Sequence, residues 1–256
     1  MLISPHGMIG RFLHRRALAR WQAARAEVRH TRTADLETQV QMAQRLQRRI
    51  RDFTADAAAR LALPRPGATT FPRHAGTDWS WRPKPWHDAF AGAGIAPVLP
   101  KDSMTNELVV FHDCKSREIS LRQIRNTLAT DLSPFGVALE VFHFDGSYLS
   151  LVVEVPPESC AGLRKSHLVR LACVITRERP ARIYARLNVK HGPNTEQVLL
   201  TLPDTEEAMV EFDLAYTQLN PARAERMWID LMIEAPAMNR IVFRDLTLSR
   251  YPRAEI

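Results

Sequence analysis

The chain has 256 residues, 45% of them apolar, enough for one well-formed core plus an accessory segment. No apolar run approaches the ~20 residues that span a bilayer as a helix, and the three cysteines, Cys114, Cys160 and Cys173, lack metal-type spacing and are odd in number, so neither a zinc site nor a disulfide framework is implied. The net charge of +7 belongs to residues 1–60, which hold 12 arginines, no lysine and five acidic residues, while basic and acidic residues balance in the remainder.

Residues 8–62 read as helical. Ile9, Phe12, Leu13, Leu18, Trp21 and Val28 form a loose apolar stripe, interrupted too often by Gly10, Arg11 and His14–Arg16 to serve as a secretory signal. After a break at His30–Thr33, where Thr33 or Asp35 would cap, a cleaner stripe runs through Leu36, Val40, Ala43, Leu46, Ile50, Phe53, Ala57 and Leu61. Steps of three and four keep it on one side of a helix, with Arg45, Arg48, Arg49 and Arg51 turned away. Part of it fits coiled-coil heptads. Three partners suit such a segment: a second copy joined through residues 36–61, an anionic membrane surface, or nucleic acid phosphates. A helix packed on its own domain with arginines in water is the alternative.

Residues 63–103 change character. Pro64, Pro66, Pro72, Pro83, Pro85, Pro97 and Pro100, with Gly67, Gly76, Gly92 and Gly94, predict an irregular connector. Trp79, Trp81 and Trp86 lie within it, and indoles of up to ~250 Å² each favour a strap packed on the following domain.

From about residue 104 the pattern is that of strands. Leu108–Phe111 is short and apolar. Ile119–Ile124 fits a strand or a helix, and Leu121–Leu128 a short helix. Val137–Phe144 and Tyr148–Val155 read as a hairpin turning at Asp145–Gly146, stopped by Pro156–Pro157. His167–Glu178, Ile183–Lys190, Gln197–Leu202, Met209–Leu214, Met227–Glu234 and Arg240–Ser249 follow, with a turn at Gly192–Thr195 and a loop at Asn220–Arg226. In Ile183–Lys190 and Met227–Glu234, apolar and polar residues alternate, which sends successive side chains to opposite sheet faces. Ile241 and Phe243 have one parity and Leu246 and Leu248 the other, so Arg244–Asp245 should hold a β-bulge. The expected architecture is mainly β: an antiparallel jelly-roll-like sandwich over 104–256, preceded by the connector and a helical N-terminus.

Chemistry is sought on the polar side of that alternation. Tyr184, Arg186, Asn188, Trp228 and Asp230, with Arg244 if its strand is a neighbour, would make an aromatic platform with planar hydrogen-bonding groups. Such a surface suits a glycan: the ring stacks and the amide and guanidinium groups read its hydroxyls. The competing interpretation is a wet face whose opposite charges pair across strands. His191, Asn194 and Gln197 would form a rim loop, or merely a turn. No catalytic residue, metal or cofactor is assigned. His112–Asp113–Cys114 and His143–Phe144–Asp145 lack the surroundings of an activated thiol or a zinc site, and Asp204, Glu206, Glu207, Glu211 and Asp213 read as a solvated edge. Free thiols point to a reducing compartment, the cytoplasm.

Two sets of stretches resemble a bacterial family of unknown function found among alphaproteobacteria. They are Phe111–Cys114 with Asp145–Leu151, and Asn188–Gln197 with Arg244–Arg250. The resemblance covers most of the chain from Gly76 onward and implies no activity. The C-terminal half is also similar to carbohydrate-binding-module sandwiches, whose last strand often carries a closing motif like Phe243–Arg244–Asp245–Leu246. The leading expectation is a non-catalytic module for a glycan or a glycan-bearing partner. The second is an assembly protein that oligomerises through its N-terminal helices.

Overall fold

The computed structural model describes residues 8–62, 71–90, 92 and 94–253. Pro64, Pro66 and Gly67 of the expected connector lie outside the described residues. The chain divides into two compact units, Met1–Phe53 and Thr54–Ile256. Two helices, α1 (Met8–Glu27) and α2 (Thr33–Ala62), carry the N-terminal segment. The Glu27 carbonyl at the end of α1 accepts the amides of His30 and Thr31 and the Thr31 hydroxyl, which satisfies a helix terminus that would otherwise be open. Part of the apolar stripe of α2 is exposed: Leu46, Ile50 and Phe53 are 44%, 53% and 71% exposed, while Leu36, Ala43 and Ala57 are half-buried.

The second unit is a sandwich of two antiparallel sheets. One has the order β10 (Glu207–Asp213), β7 (His167–Arg177), β12 (Asn239–Pro252), β5 (Phe135–Val141) and β4 (Ile119–Arg125). The other runs β2 (Ser103–Thr105), β3 (Leu108–His112), β6 (Leu149–Val155), β11 (Ala224–Ile233), β8 (Ile183–His191) and β9 (Asn194–Thr201). Alternation fills the space between them. Ile183, Ala185, Leu187 and Val189 of β8 and Ile229 and Leu231 of β11 are buried in one continuous core with Val169, Leu171 and Ile175 of β7 and Phe243, Leu246 and Leu248 of β12.

The predicted bulge is present. Phe243 pairs with Ile175 and Asp245 with Val174, so Arg244 is the extra residue and the parity of β12 changes there. Ile119–Arg125 is a strand, paired along its length with β5; the helical alternative does not form.

The hairpin expected across Asp145–Gly146 is not made. β5 pairs with β4 and β12, and β6 with β3 and β11, so the dipeptide lies in a crossing between sheets. Its chemistry serves a different contact. The Asp145 carboxylate accepts the amides of Lys115 and Ser116 at 2.8 and 3.2 Å, and Asp113 reciprocates by accepting the amides of Ser147 and Tyr148 at 2.7 and 3.2 Å. A side chain at Gly146 would press on the Cys114 amide at 2.8 Å, so the glycine is needed for close approach of two loops.

Between the helices and the main strands, β1 (Trp79–Trp81) pairs with β12 at Leu248–Arg250, beyond the end of β5 on the same edge. The short helix α3 (Lys84–His87) follows. It carries Trp86, which is fully buried and donates its indole N–H to the Phe243 carbonyl at 2.8 Å.

Candidate functional site

The outward face of the second sheet is built around β11. Trp228 stands opposite Glu154 on β6 and Asn188 on β8; Asp230 opposite Val152 and Arg186; Met232 opposite Ser150 and Tyr184. Side chains two residues apart share a face, so these strands present Glu154, Trp228, Asp230, Met232, Tyr184 and Arg186 together. They line a depression of about 670 Å³, within the usual range for small-ligand sites, whose wall is completed by Phe111, Tyr148 and Arg226. Four aromatic rings, Phe111, Tyr148, Tyr184 and Trp228, therefore border one concavity, and Trp228 and Tyr184 are only half-buried.

Charged groups on this face are paired. Arg186 donates through Nε and Nη2 to Asp230 Oδ2 at 2.8 and 2.6 Å. Arg226 forks onto Glu154, with Nε 3.0 Å from Oε2, while its guanidinium carbon lies 4.8 Å from the Trp228 ring centroid. The pairing across strands that was weighed against a recognition surface is thus real, and Arg226 stacks on the Trp228 ring, but Trp228 and Tyr184 both stay partly exposed.

Six residues were expected on this surface. Tyr184, Arg186, Trp228 and Asp230 meet in the depression. Asn188 shares their strand face but is wholly buried: its Nδ2 donates to Asp230 Oδ2 at 3.0 Å and to the Arg186 carbonyl at 3.1 Å, and its Oδ1 accepts from Gln197. It holds the Arg186–Asp230 pair in place. Arg244 does not join them. It sits on the bulge of the opposite sheet, bonded to Asp131 and Glu206, because β12 and β11 belong to different sheets.

The proposed rim loop is likewise elsewhere. Gly192 and Pro193 form the β8–β9 turn; His191 is buried with Nδ1 accepting from the Asn220 amide, Asn194 pairs with His191, and Gln197 bonds Asn188. None of the three lines the depression.

Phe111, Tyr148, Glu154 and Arg226 escaped the sequence reading. Phe111 had a detectable signal, the parity of Leu108–His112, but its place beside β11 needed the strand order. Tyr148 is held by the crossed loops. The Ser147 hydroxyl and the amides of Tyr148 and Ser147, against a smaller opposing effect of burial, keep Asp113 below the ordinary carboxylate range. Asp145 is held lower still, first by the Cys114 thiol at 3.0 Å and then by backbone amides. Cys114 is thereby a brace between loops, and burial pushes the Cys160 and Cys173 thiols up, away from reactivity. Among the described residues no group of three or more His, Cys, Asp or Glu is placed to hold a metal ion.

The profile of DUF6478, a family of unknown function, matches residues 1–256. The chain belongs to that family. The match extends the family resemblance from Gly76 back through the N-terminal helices. No curated protein matches the chain.

Solved structures match part of the chain at low identity and with TM-scores of 0.40 or less. A family 11 carbohydrate-binding module from Clostridium thermocellum, in complex with a beta-1,3-1,4-mixed-linked tetrasaccharide, is 13% identical at a TM-score of 0.37, over 62% of this chain and 96% of that one. A C-terminal family 22 carbohydrate-binding module from Clostridium thermocellum is 6% identical at 0.35, over 73% and 99%. The enzymatically active domain of tailspike protein 4 from bacteriophage CBA120 is 7% identical at 0.40; it matches 60% of this chain and only 22% of the tailspike chain.

Proposed function

We propose that this DUF6478 chain is a non-catalytic binding module whose β6–β11–β8 face takes a glycan or a glycan-bearing partner. The observation that carries the reading is the convergence of four aromatic rings with Arg186 and Arg226 in one depression. A pyranose has apolar C–H faces and a rim of hydroxyls. Half-buried Tyr184 and Trp228, the latter already stacked by the Arg226 guanidinium, offer ring surface for the first, and the two guanidiniums and their carboxylate partners offer donors and acceptors for the second. Asn188, held by Gln197 of the neighbouring strand, bonds Asp230 from the same sheet face, which keeps the polar groups preorganised.

The test is a panel of immobilised glycans probed with the full chain and with Trp228→Ala. At least one glycan is expected to bind, and the variant to lose on the order of tenfold or more, the scale of a tryptophan hot spot. Absence of binding across the panel, or binding unchanged in a folded Trp228→Ala protein, overturns the reading.

A second reading concerns the N-terminal helices, and the exposure of Ile50 and Phe53 favours it. We infer that α2 lies on an anionic lipid surface. Self-association through 36–61, which holds five arginines against three acidic residues, would bring together two net-basic segments, whereas an anionic bilayer accepts both the arginines and the apolar stripe.

A further inference from the structure

We propose that the glycan taken by this face is uncharged, and that the face discriminates against uronic, sialylated and sulfated sugars; this rests on the glycan reading above. The argument is charge accounting over the sheet surface. Four cations lie on or beside it, and each has its own carboxylate: Arg186 with Asp230 at 2.6 Å, Lys190 with Glu225 at 3.1 Å, Arg182 with Glu234 at 3.5 Å, and Arg226 with Glu154. The remaining lining residues, Phe111, Tyr148, Ser150, Val152 and Met232 among them, are uncharged.

An acidic sugar needs a cation whose charge is not already spent on a neighbour. Here its carboxylate or sulfate would displace Asp230 or Glu154 from an arginine, or lie beside them and be repelled at short range. Displacing Asp230 is the harder route, because it is buried and also accepts from Asn188. Neutral hydroxyls face no such conflict. They accept from guanidinium N–H groups that ion pairing leaves available and donate to the carboxylates, so the pairs serve as neutral hydrogen-bonding units. The surplus positive charge of the molecule lies in residues 1–60 and not on this face.

The experiment compares matched ligands on the full chain: galacto- and gluco-oligosaccharides against oligogalacturonate and oligoglucuronate, at 50 and 500 mM NaCl, by calorimetry. A neutral ligand is expected to bind at least about tenfold more tightly than its acidic counterpart, with less than about a twofold change in affinity across that salt range. Glu154→Gln, which leaves Arg226 without its counter-charge, is expected to raise affinity for the acidic ligand by severalfold. Acidic binding that persists in Trp228→Ala is contact with the N-terminal arginines and leaves the proposal standing. Acidic sugars binding more tightly than neutral ones, with loss in Trp228→Ala and at high salt, overturn it while the glycan reading survives. If neither class binds, the glycan reading itself fails and this proposal falls with it.

Discussion

His167 is almost fully buried at the start of β7, its Nδ1 accepting the Arg164 amide at 3.1 Å and its Nε2 3.5 Å from Asp78. Burial lowers its pKa, and the attraction of Asp78 only partly offsets this. A folded-state pKa below the ordinary value of about 6.5 means that the unfolded chain takes up the proton first. The contribution to stability is therefore complete above pH 6.5 and is lost as the pH falls through the folded value. Urea midpoints should fall between pH 7 and pH 5, with a smaller fall in His167→Asn; equal falls in both proteins would contradict this. At the same scale, Tyr184, Arg186, Trp228 and Asp230 were legible because one strand's parity fixes which side a residue takes. Burial within that side was not: Asn188 has the same parity as Arg186 yet is fully buried, bonded to Asp230 and to Gln197, a residue supplied by the next strand.

For the elements, local pattern succeeded where the determinant was local. The bulge at Arg244 follows from a parity change inside one strand. The hairpin at Asp145–Gly146 failed because its residues answer to Asp113 and Cys114, some thirty positions earlier. Helix α2 was legible as a helix, and the exposed Ile50 and Phe53 of its apolar stripe give a prediction of their own. Each basic residue near an anionic bilayer contributes about 1 kcal/mol, so the full chain should float with vesicles containing phosphatidylglycerol and not with phosphatidylcholine alone. Ile50→Ser with Phe53→Ser should weaken that binding. No flotation, together with a dimeric mass by light scattering, would assign the stripe to a second copy instead.

On the scale of the whole molecule, two sheets bury one face each against a common core. Strap residues add to the first sheet, with β1 on β12 and Trp86 buried at Phe243. The β6–β11–β8 surface of the second sheet carries an aromatic-lined depression with balanced charge. The architecture was readable from alternation, but the partnership of β6 with β11 was not, since about seventy residues separate Glu154 from Arg226 and nothing local announces their contact. The most direct measurement is a titration of the five tryptophan indole N–H resonances with a neutral oligosaccharide that binds the chain. The account predicts that Trp228 shifts in step with binding while Trp86, buried and bonded to the Phe243 carbonyl, stays fixed. Saturable binding with the Trp228 resonance unmoved would place the site elsewhere and contradict it.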